Sequence, residues 1–164
     1  MTTTSSPLTV TVLGDKQILI EREFAGPKHL VYRAWTEPEY VRRWWHAGRG
    51  VVTVCEIDLR VGGEWRYVSE VPGFGEVGFH GEYREIVADE RLVTTEVFEG
   101  IPDAESHASL NTLTLTEADG RTKLKVIVDH ATQEGRDMHI ASGMESGLGD
   151  ALDLLEGLIL AESS

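Results

Sequence analysis

Two stretches decide the fold: AWTEPEYVRRWW at residues 34–45 and SGMESGLGDALDLLE at residues 142–156. The first predicts two short helices, with Thr36 as the N-cap of the second helix. Pro38 follows closely, and Glu39 stands at the third helical position, which is capping-box spacing. The second stretch predicts one long helix, so helices are expected near both ends of the chain.

The long helix has apolar residues at the i, i+4, i+7 and i+8 spacing of one buried face. These residues are Met144, Leu148, Ala151, Leu152, Leu155, Leu158 and Ile159. The acidic residues of this helix fall largely opposite the apolar face: Glu145, Asp150, Asp153 and Glu156. Glycine is unfavourable inside a helix, so Gly143 and Gly147 indicate either close backbone approach and empty volume or a loose helix start.

The sequence between and before these helices alternates apolar and polar residues, which is typical of strands joined by Gly, Pro and Asp turns. The predicted strands are 8–12, 17–24, 51–59, 64–70, 77–87, 92–99, 110–117 and 122–130, and a short helix is predicted at 134–140. An antiparallel sheet with one long helix on a face is an α+β fold. A curved sheet that does not close completely on the helix leaves a pocket. We expect a disordered tail at 1–7 and a single domain at 8–164.

Composition excludes several classes of function. The chain has 164 residues and a formal net charge of −13, which opposes binding to nucleic acids and to anionic membranes. Its single cysteine, Cys55, excludes an internal disulfide framework and a cysteine-based zinc site. The histidines lack metal-ligand spacing, and we expect no metal, no cofactor, no signal peptide and a cytoplasmic location.

An ordered set of motifs resembles a known superfamily. The set comprises AWTEP at 34–38 with WW at 44–45, DLRVGGEWRY at 58–67, GEYREI at 81–86 with ERL at 90–92, and GMESG at 143–147. Together these resemble the SRPBCC superfamily, which has the START and birch-pollen-allergen fold, over residues 17 to 161. Within it, the family named after the activator of the heat-shock-protein-90 ATPase is the most similar.

The resemblance implies a helix-grip fold. In that fold, a curved antiparallel sheet wraps around a long C-terminal helix, with two short helices after the first strand. The superfamily includes lipid carriers, hormone receptors and polyketide cyclases, so the resemblance implies fold more than function. The segment 8–15 is an extra leading strand, which could pair with the next strand or join a homodimer interface.

Strand parity and the helix stripe predict which residues face a cavity. The ligand-binding candidates are Trp35, Trp44, Trp45, Cys55, Ile57, Trp65, Tyr67, Phe79, Tyr83, Asn111, Leu113, Val126, Val128, His130, Met144, Leu148, Ala151 and Leu152. Core packing explains each of them as well as ligand contact does. The three tryptophans near the helix pair predict an aromatic lid, unless one of Trp44 and Trp45 is a surface anchor.

Three functions are consistent with these residues. The first is binding of a small hydrophobic or aromatic molecule in an internal cavity. The second is a cyclase or hydrolase that uses His130, Asn111 or Glu96, although no catalytic residue can be assigned and His130 is favoured as a hydrogen-bonded core histidine. The third is a co-chaperone-like interaction domain, with homodimerisation as one version.

Overall fold

The computed structural model describes residues 8–46 and 49–163, so the predicted tail at 1–7 lies outside it. The strands are β1 Thr9–Leu13, β2 Gln17–Phe24, β3 Val51–Ile57, β4 Glu64–Val71, β5 Gly75–Val87, β6 Arg91–Phe98, β7 Ser109–Ala118 and β8 Arg121–Asp129. The helices are α1 Lys28–Thr36, α2 Pro38–Trp44, α3 Gln133–Ala141 and α4 Met144–Ser163, and a short 3-10 helix spans Ala104–His107. None of the helices among these residues is long and apolar enough to cross a membrane.

The eight strands form one antiparallel sheet in the order β1-β2-β8-β7-β6-β5-β4-β3. The sheet is open, and β1 and β3 are its edges. Register shifts between Val52 and Val54 and between Tyr83 and Glu85 mark bulges, which bend a strand and increase its twist. The curved sheet and the long C-terminal helix confirm the predicted α+β helix-grip fold.

The main core lies between the inward face of the sheet and α4. Alternate residues of β2 are buried, including Ile18 and Phe24, as strand periodicity predicts. From α4, Leu152 and Leu155 are fully buried. Each such side chain contributes roughly 1.5–3 kcal/mol through removal from water, so this contact fixes the helix on the sheet.

A buried ion pair also joins α4 to β2. Arg22 lies on the inward face, where its Nη1 is 2.6 Å from Asp153 Oδ1 and its Nη2 is 3.1 Å from Glu156 Oε1. Glu156 Oε2 accepts a hydrogen bond from the backbone N–H of Ala25 at 2.9 Å. The prediction that Glu156 faces away from the core was therefore wrong, because a buried guanidinium provides the opposite charge that a buried carboxylate needs.

The predicted N-cap of the second helix was also wrong. Thr36 is the last residue of α1, and its hydroxyl donates to the carbonyl oxygen of Tyr32 at 2.8 Å. This return bond to the residue four positions earlier is a common alternative for a threonine hydroxyl. Glu37 occupies the N-cap position of α2, with extended backbone angles.

The long helix begins at Met144, two residues after the start of the predicted stretch. Ser142 is the C-cap of α3, and Gly143 has a φ of +84°, a left-handed conformation that glycine adopts without a Cβ penalty. Gly143 therefore separates α3 from α4, as the loose-start interpretation predicted. Gly147 lies inside α4.

The outer face of the sheet has a smaller buried patch. It consists of Val68, Val93 and Val97. The 3-10 helix packs against β6, and the side chain of Glu99 lies over the backbone of Gly78 on this face. Arg66 donates two hydrogen bonds to Glu99, both 3.0 Å long, and His80 bridges Glu99 and Glu105 at 2.7 and 2.8 Å. These bonds hold the segment after β6 on the sheet.

Candidate functional site

The apolar stripe of α4 is packed unevenly along its length. Leu152 and Leu155 have no exposed surface, whereas Met144 and Leu148, on the same stripe, are only half-buried. All four residues lie on one face of the helix, so their different exposure depends on the residues that pack opposite them. The first turns of α4 are therefore covered less completely than the later turns.

The end of α2 lies beside these first turns. Arg49, just after α2, pairs with Asp150 of α4 at 2.5 Å, and its Nη1 would be 3.4 Å from a Cβ at Gly147. Trp45, which follows the last residue of α2, is half-buried. We call the half-buried inward residues Trp45, Phe79, Met144 and Leu148 the open end of the core.

Trp45 is the centre of an aromatic cluster. Its ring centroid is 4.7 Å from that of Tyr67 and 5.8 Å from that of Phe79, both in edge-to-face arrangements. Trp44 is buried instead, and its indole N–H donates to the carbonyl oxygen of Ala34 at 2.8 Å. Trp44 is thus a core residue, and Trp45 is the tryptophan that faces β4 and β5.

The sheet register arranges the inward residues in rows. One row runs across β3 to β6 through Cys55, Tyr67, Phe79 and Phe98. Another runs across β5 to β8 through Tyr83, Thr94, Asn111 and Val128. Between them, Gly81 pairs with Trp65, and a Cβ at Gly81 would stand 1.8 Å from the carbonyl oxygen of Thr95 and 2.6 Å from Trp65 Nε1. Only glycine allows this close approach of two strands and an indole ring.

A chain of polar side chains lies on the same inward face. Ser109 Oγ donates to Asn111 Oδ1 at 3.2 Å, and Asn111 Nδ2 donates to Glu96 Oε1 at 2.9 Å. Desolvation raises the pKa of Glu96, and the hydrogen bond from Asn111 offsets part of this effect. Among the described residues, none hydrogen-bonds Glu96 Oε2, and none forms an ion pair with this carboxyl.

Two aromatic polar groups near this carboxyl also lack partners. The Tyr67 hydroxyl makes no hydrogen bond to any residue that the structure describes, although the residue is only 6% exposed. Desolvation raises the pKa of Tyr67 well above its usual value, and the charges of Tyr83, Cys55 and Glu96 add to the effect. Trp65 Nε1 is likewise buried with no partner among residues 8–46 and 49–163. Buried polar groups are normally satisfied, and among the described residues Trp65 Nε1 and Arg22 Nε are the buried side-chain atoms that are not.

The remaining polar candidates, His130 and Cys55, have hydrogen-bond partners other than Glu96. His130 Nε2 is 3.0 Å from His139 Nδ1 of α3, so His130 is a hydrogen-bonded histidine as predicted. Desolvation and the charge of His130 lower the pKa of His139 to about 4, and desolvation and Arg136 lower the pKa of His130. Burial raises the pKa of the Cys55 thiol to about 11, although Arg42 counteracts this. A thiol of that pKa is not a nucleophile at neutral pH.

All eighteen ligand-binding candidates are at least half-buried. The buried ones are Trp44, Cys55, Trp65, Tyr67, Tyr83, Leu113, Val126, Val128, Ala151 and Leu152. The half-buried ones are Trp35, Trp45, Ile57, Phe79, Asn111, His130, Met144 and Leu148. Glu96 was not among them, although the structure places it on the same face of β6 as the buried Leu92.

Two concavities of the protein lie away from the open end. One is a shallow depression of about 490 Å³ on the surface of α3, lined by Gln133, Glu134, Asp137, Met138 and Ala141. The other is a cleft of about 10 Å³ among α1, α2 and α4. The first is broadly open to solvent and the second is too small for more than one water molecule, so neither has the form of an enclosed small-molecule site.

The curved sheet, the helix that it grips and the partly polar interior define an SRPBCC-type helix-grip domain. Within that class, the chain belongs to the family described as activator of Hsp90 ATPase homolog 1-like protein, whose model matches residues 25–159. No curated protein matches the chain.

Solved structures share the fold of this chain. A protein from Rhodobacter sphaeroides has a TM-score of 0.85 at 26% identity, and the match covers 94% of this chain and 99% of the other. A protein from Nitrosomonas europaea has a TM-score of 0.81 at 25% identity, covering 93% and 99%. An AHSA1-like protein from Aeromonas hydrophila, at 21% identity, shares the fold with a TM-score of 0.69 over 90% of this chain and 94% of the other.

Proposed function

We propose that the protein binds a small hydrophobic or aromatic molecule at the open end, between the sheet and the first turns of α4. The observation that carries the proposal is the uneven packing of one helix stripe. Met144 and Leu148 keep accessible surface while Leu152 and Leu155, further along, have none. Membership of an SRPBCC-type family, a class known for ligand binding, supports the same function.

The residues around the open end suit a flat apolar ligand. Trp45, Tyr67 and Phe79 present aromatic edges and faces, which bind rings well. A ligand with two fused rings that buries roughly 250 Å² of apolar surface gains about 6 kcal/mol at about 25 cal/mol per Å². Before the costs of association, that energy corresponds to a dissociation constant of tens of micromolar.

A pair of substitutions on one helix tests the proposal. Leu148→Trp fills the open end, whereas Leu154→Trp places the same ring on the exposed face of α4, where Leu154 is 42% exposed. Each purified variant is titrated with the neutral fluorescent probe N-phenyl-1-naphthylamine, and circular dichroism checks the fold. We expect L148W to weaken probe binding at least about tenfold and L154W to leave it unchanged. Equal binding by wild type and both variants would contradict the proposal.

Two further expectations belong to this proposal. A buried, reduced Cys55 supports a cytoplasmic location. Homodimerisation stays a prediction, and β1 is the edge that would mediate it, because an edge strand has unpaired backbone groups on one side.

A further inference from the structure

Glu96 is a half-buried carboxyl group that has no positive partner among the described residues. It lies on the inward face of β6, its Oε1 accepts one hydrogen bond from Asn111, and no cation among the described residues pairs with it. The other interior carboxylate described above, Glu156, is paired with Arg22. Carboxylates that are largely withdrawn from water are normally paired with a cation, and Glu96 has no such cation in the part of the chain that the structure describes.

The surroundings of Glu96 hold it as an acceptor. Ser109 donates to Asn111 Oδ1, which turns the Asn111 amide so that its Nδ2 donates to Glu96. One oxygen of Glu96 is thereby fixed, and the other receives no hydrogen bond from residues 8–46 or 49–163, so it is available to a donor on a ligand. A donor with a positive charge gives the stronger, charge-assisted bond.

The nearby aromatic groups favour a cation as well. Tyr67 is close enough for the charge of Glu96 to act on its hydroxyl, and Tyr67 contacts both Trp45 and Trp65 with ring centroids 4.7 Å apart. Aromatic faces attract organic cations, and the attraction increases when water is excluded. The formal net charge of −13 also draws cations toward the protein.

We infer that Glu96 is the polar anchor for a ligand with a protonated amine on an aromatic body. This inference rests on the proposed function, and it adds the chemical class of the ligand. The ammonium group bonds Glu96 Oε2, and the apolar body extends along Tyr67 and Phe79 toward the open end. Asn111 and Ser109 are positioning residues, because they act through Glu96.

Three small molecules that share a benzyl body test this assignment. They are 2-phenylethylamine, 2-phenylethanol and phenylacetate, each titrated calorimetrically into the full chain at pH 7. We expect the amine to bind at least about tenfold more tightly than the alcohol, and phenylacetate to bind most weakly. In Glu96→Gln, the preference for the amine falls to within about twofold, while the affinity for the alcohol is unchanged. The control Glu85→Gln removes the same charge from an exposed site on β5 and keeps the preference.

The outcomes separate this inference from the proposed function. If wild type binds the amine no more tightly than the alcohol, or if E96Q keeps the preference, the inference is overturned. This comparison on wild type needs no variant, so a folding defect in E96Q does not protect the inference. Binding of the neutral naphthyl probe in such a case would still support the proposed function. If neither that probe nor any of the three molecules binds, both are wrong.

Discussion

Removal of Glu156 tests whether the buried ion pair fixes α4 to the sheet. Glu156 is 5% exposed and bonds both Arg22 and the backbone N–H of Ala25. Glu156→Ala leaves the Arg22 guanidinium in the core with only Asp153, whose side chain is 61% exposed. Breaking a buried pair from one side costs about 3–5 kcal/mol, so the free energy of unfolding should fall by that amount.

Urea denaturation followed by tryptophan fluorescence measures the effect. With a slope of about 2 kcal/mol per molar urea, a loss of about 4 kcal/mol lowers the midpoint by about 2 M. The slope itself should not change, because the folded state keeps its compactness. The matched control is Asp153→Ala, which removes an exposed partner of the same guanidinium and should cost at most about 1 kcal/mol.

A double substitution distinguishes an uncompensated charge from lost packing. Arg22→Met combined with Glu156→Met removes both buried charges, and we expect it to recover most of the stability lost in E156A. If E156A and D153A lower the midpoint equally, or if the double variant is as unstable as E156A, the charge-pair explanation is refuted.

Three other results are expected from the same structure. In urea denaturation, Gly81→Ala should lower the free energy of unfolding by about 1–3 kcal/mol, because the new Cβ would stand 1.8 Å from a carbonyl oxygen. Gly157 has open space beside it in α4, so Gly157→Ala should raise the free energy of unfolding by about 0.5–1 kcal/mol. His139 has a pKa of about 4 in the folded state, below its ordinary 6.5, so it contributes up to about 3 kcal/mol of stability above pH 6.5 that is lost as the pH falls toward 4. In His139→Leu, urea midpoints between pH 7 and 4 should therefore fall less than in wild type, and an equal fall would refute this. Cys55 should react with a disulfide reagent at pH 8 at least about a hundredfold more slowly than in urea-unfolded chain, and comparable rates would show that its thiol is accessible.

The sequence predicted the fold because the relevant signals are local. Alternation in β2 and the stripe on α4 each depend on neighbouring residues, and both appear in the structure. Glu156 could not be placed this way, because its partner Arg22 is 134 positions away. From helical periodicity alone, a charged residue is expected at the surface unless a residue of opposite charge is known to lie in the core.

Glu96 was ambiguous in the sequence for a different physical reason. Alternation identifies a buried face only when the other face is polar. On β6, Leu92 is buried on the inward face, but Val93 and Val97 are buried on the outer face as well. The segment that covers these valines, which includes the 3-10 helix, is not predictable from the pattern of β6. The carboxyl therefore could not be assigned to a face.

The buried outer face of β6 also determines whether the sheet or the start of α4 unfolds locally more easily. β4 and β6 have buried apolar residues on both faces, in the main core and in the outer patch of valines. Local unfolding of these two strands would therefore expose apolar surface on both sides of the sheet. The first turns of α4 are buried less completely, since Met144 and Leu148 are only half-buried. Gly143 also separates these turns from α3. We expect amide hydrogens of β4 and β6 to exchange slowly and those of residues 144–149 to exchange fastest within α4. If the proposed ligand binds at the open end, displacement of residues 144–149 would admit it, and its residence time would depend on the stability of these first turns of α4.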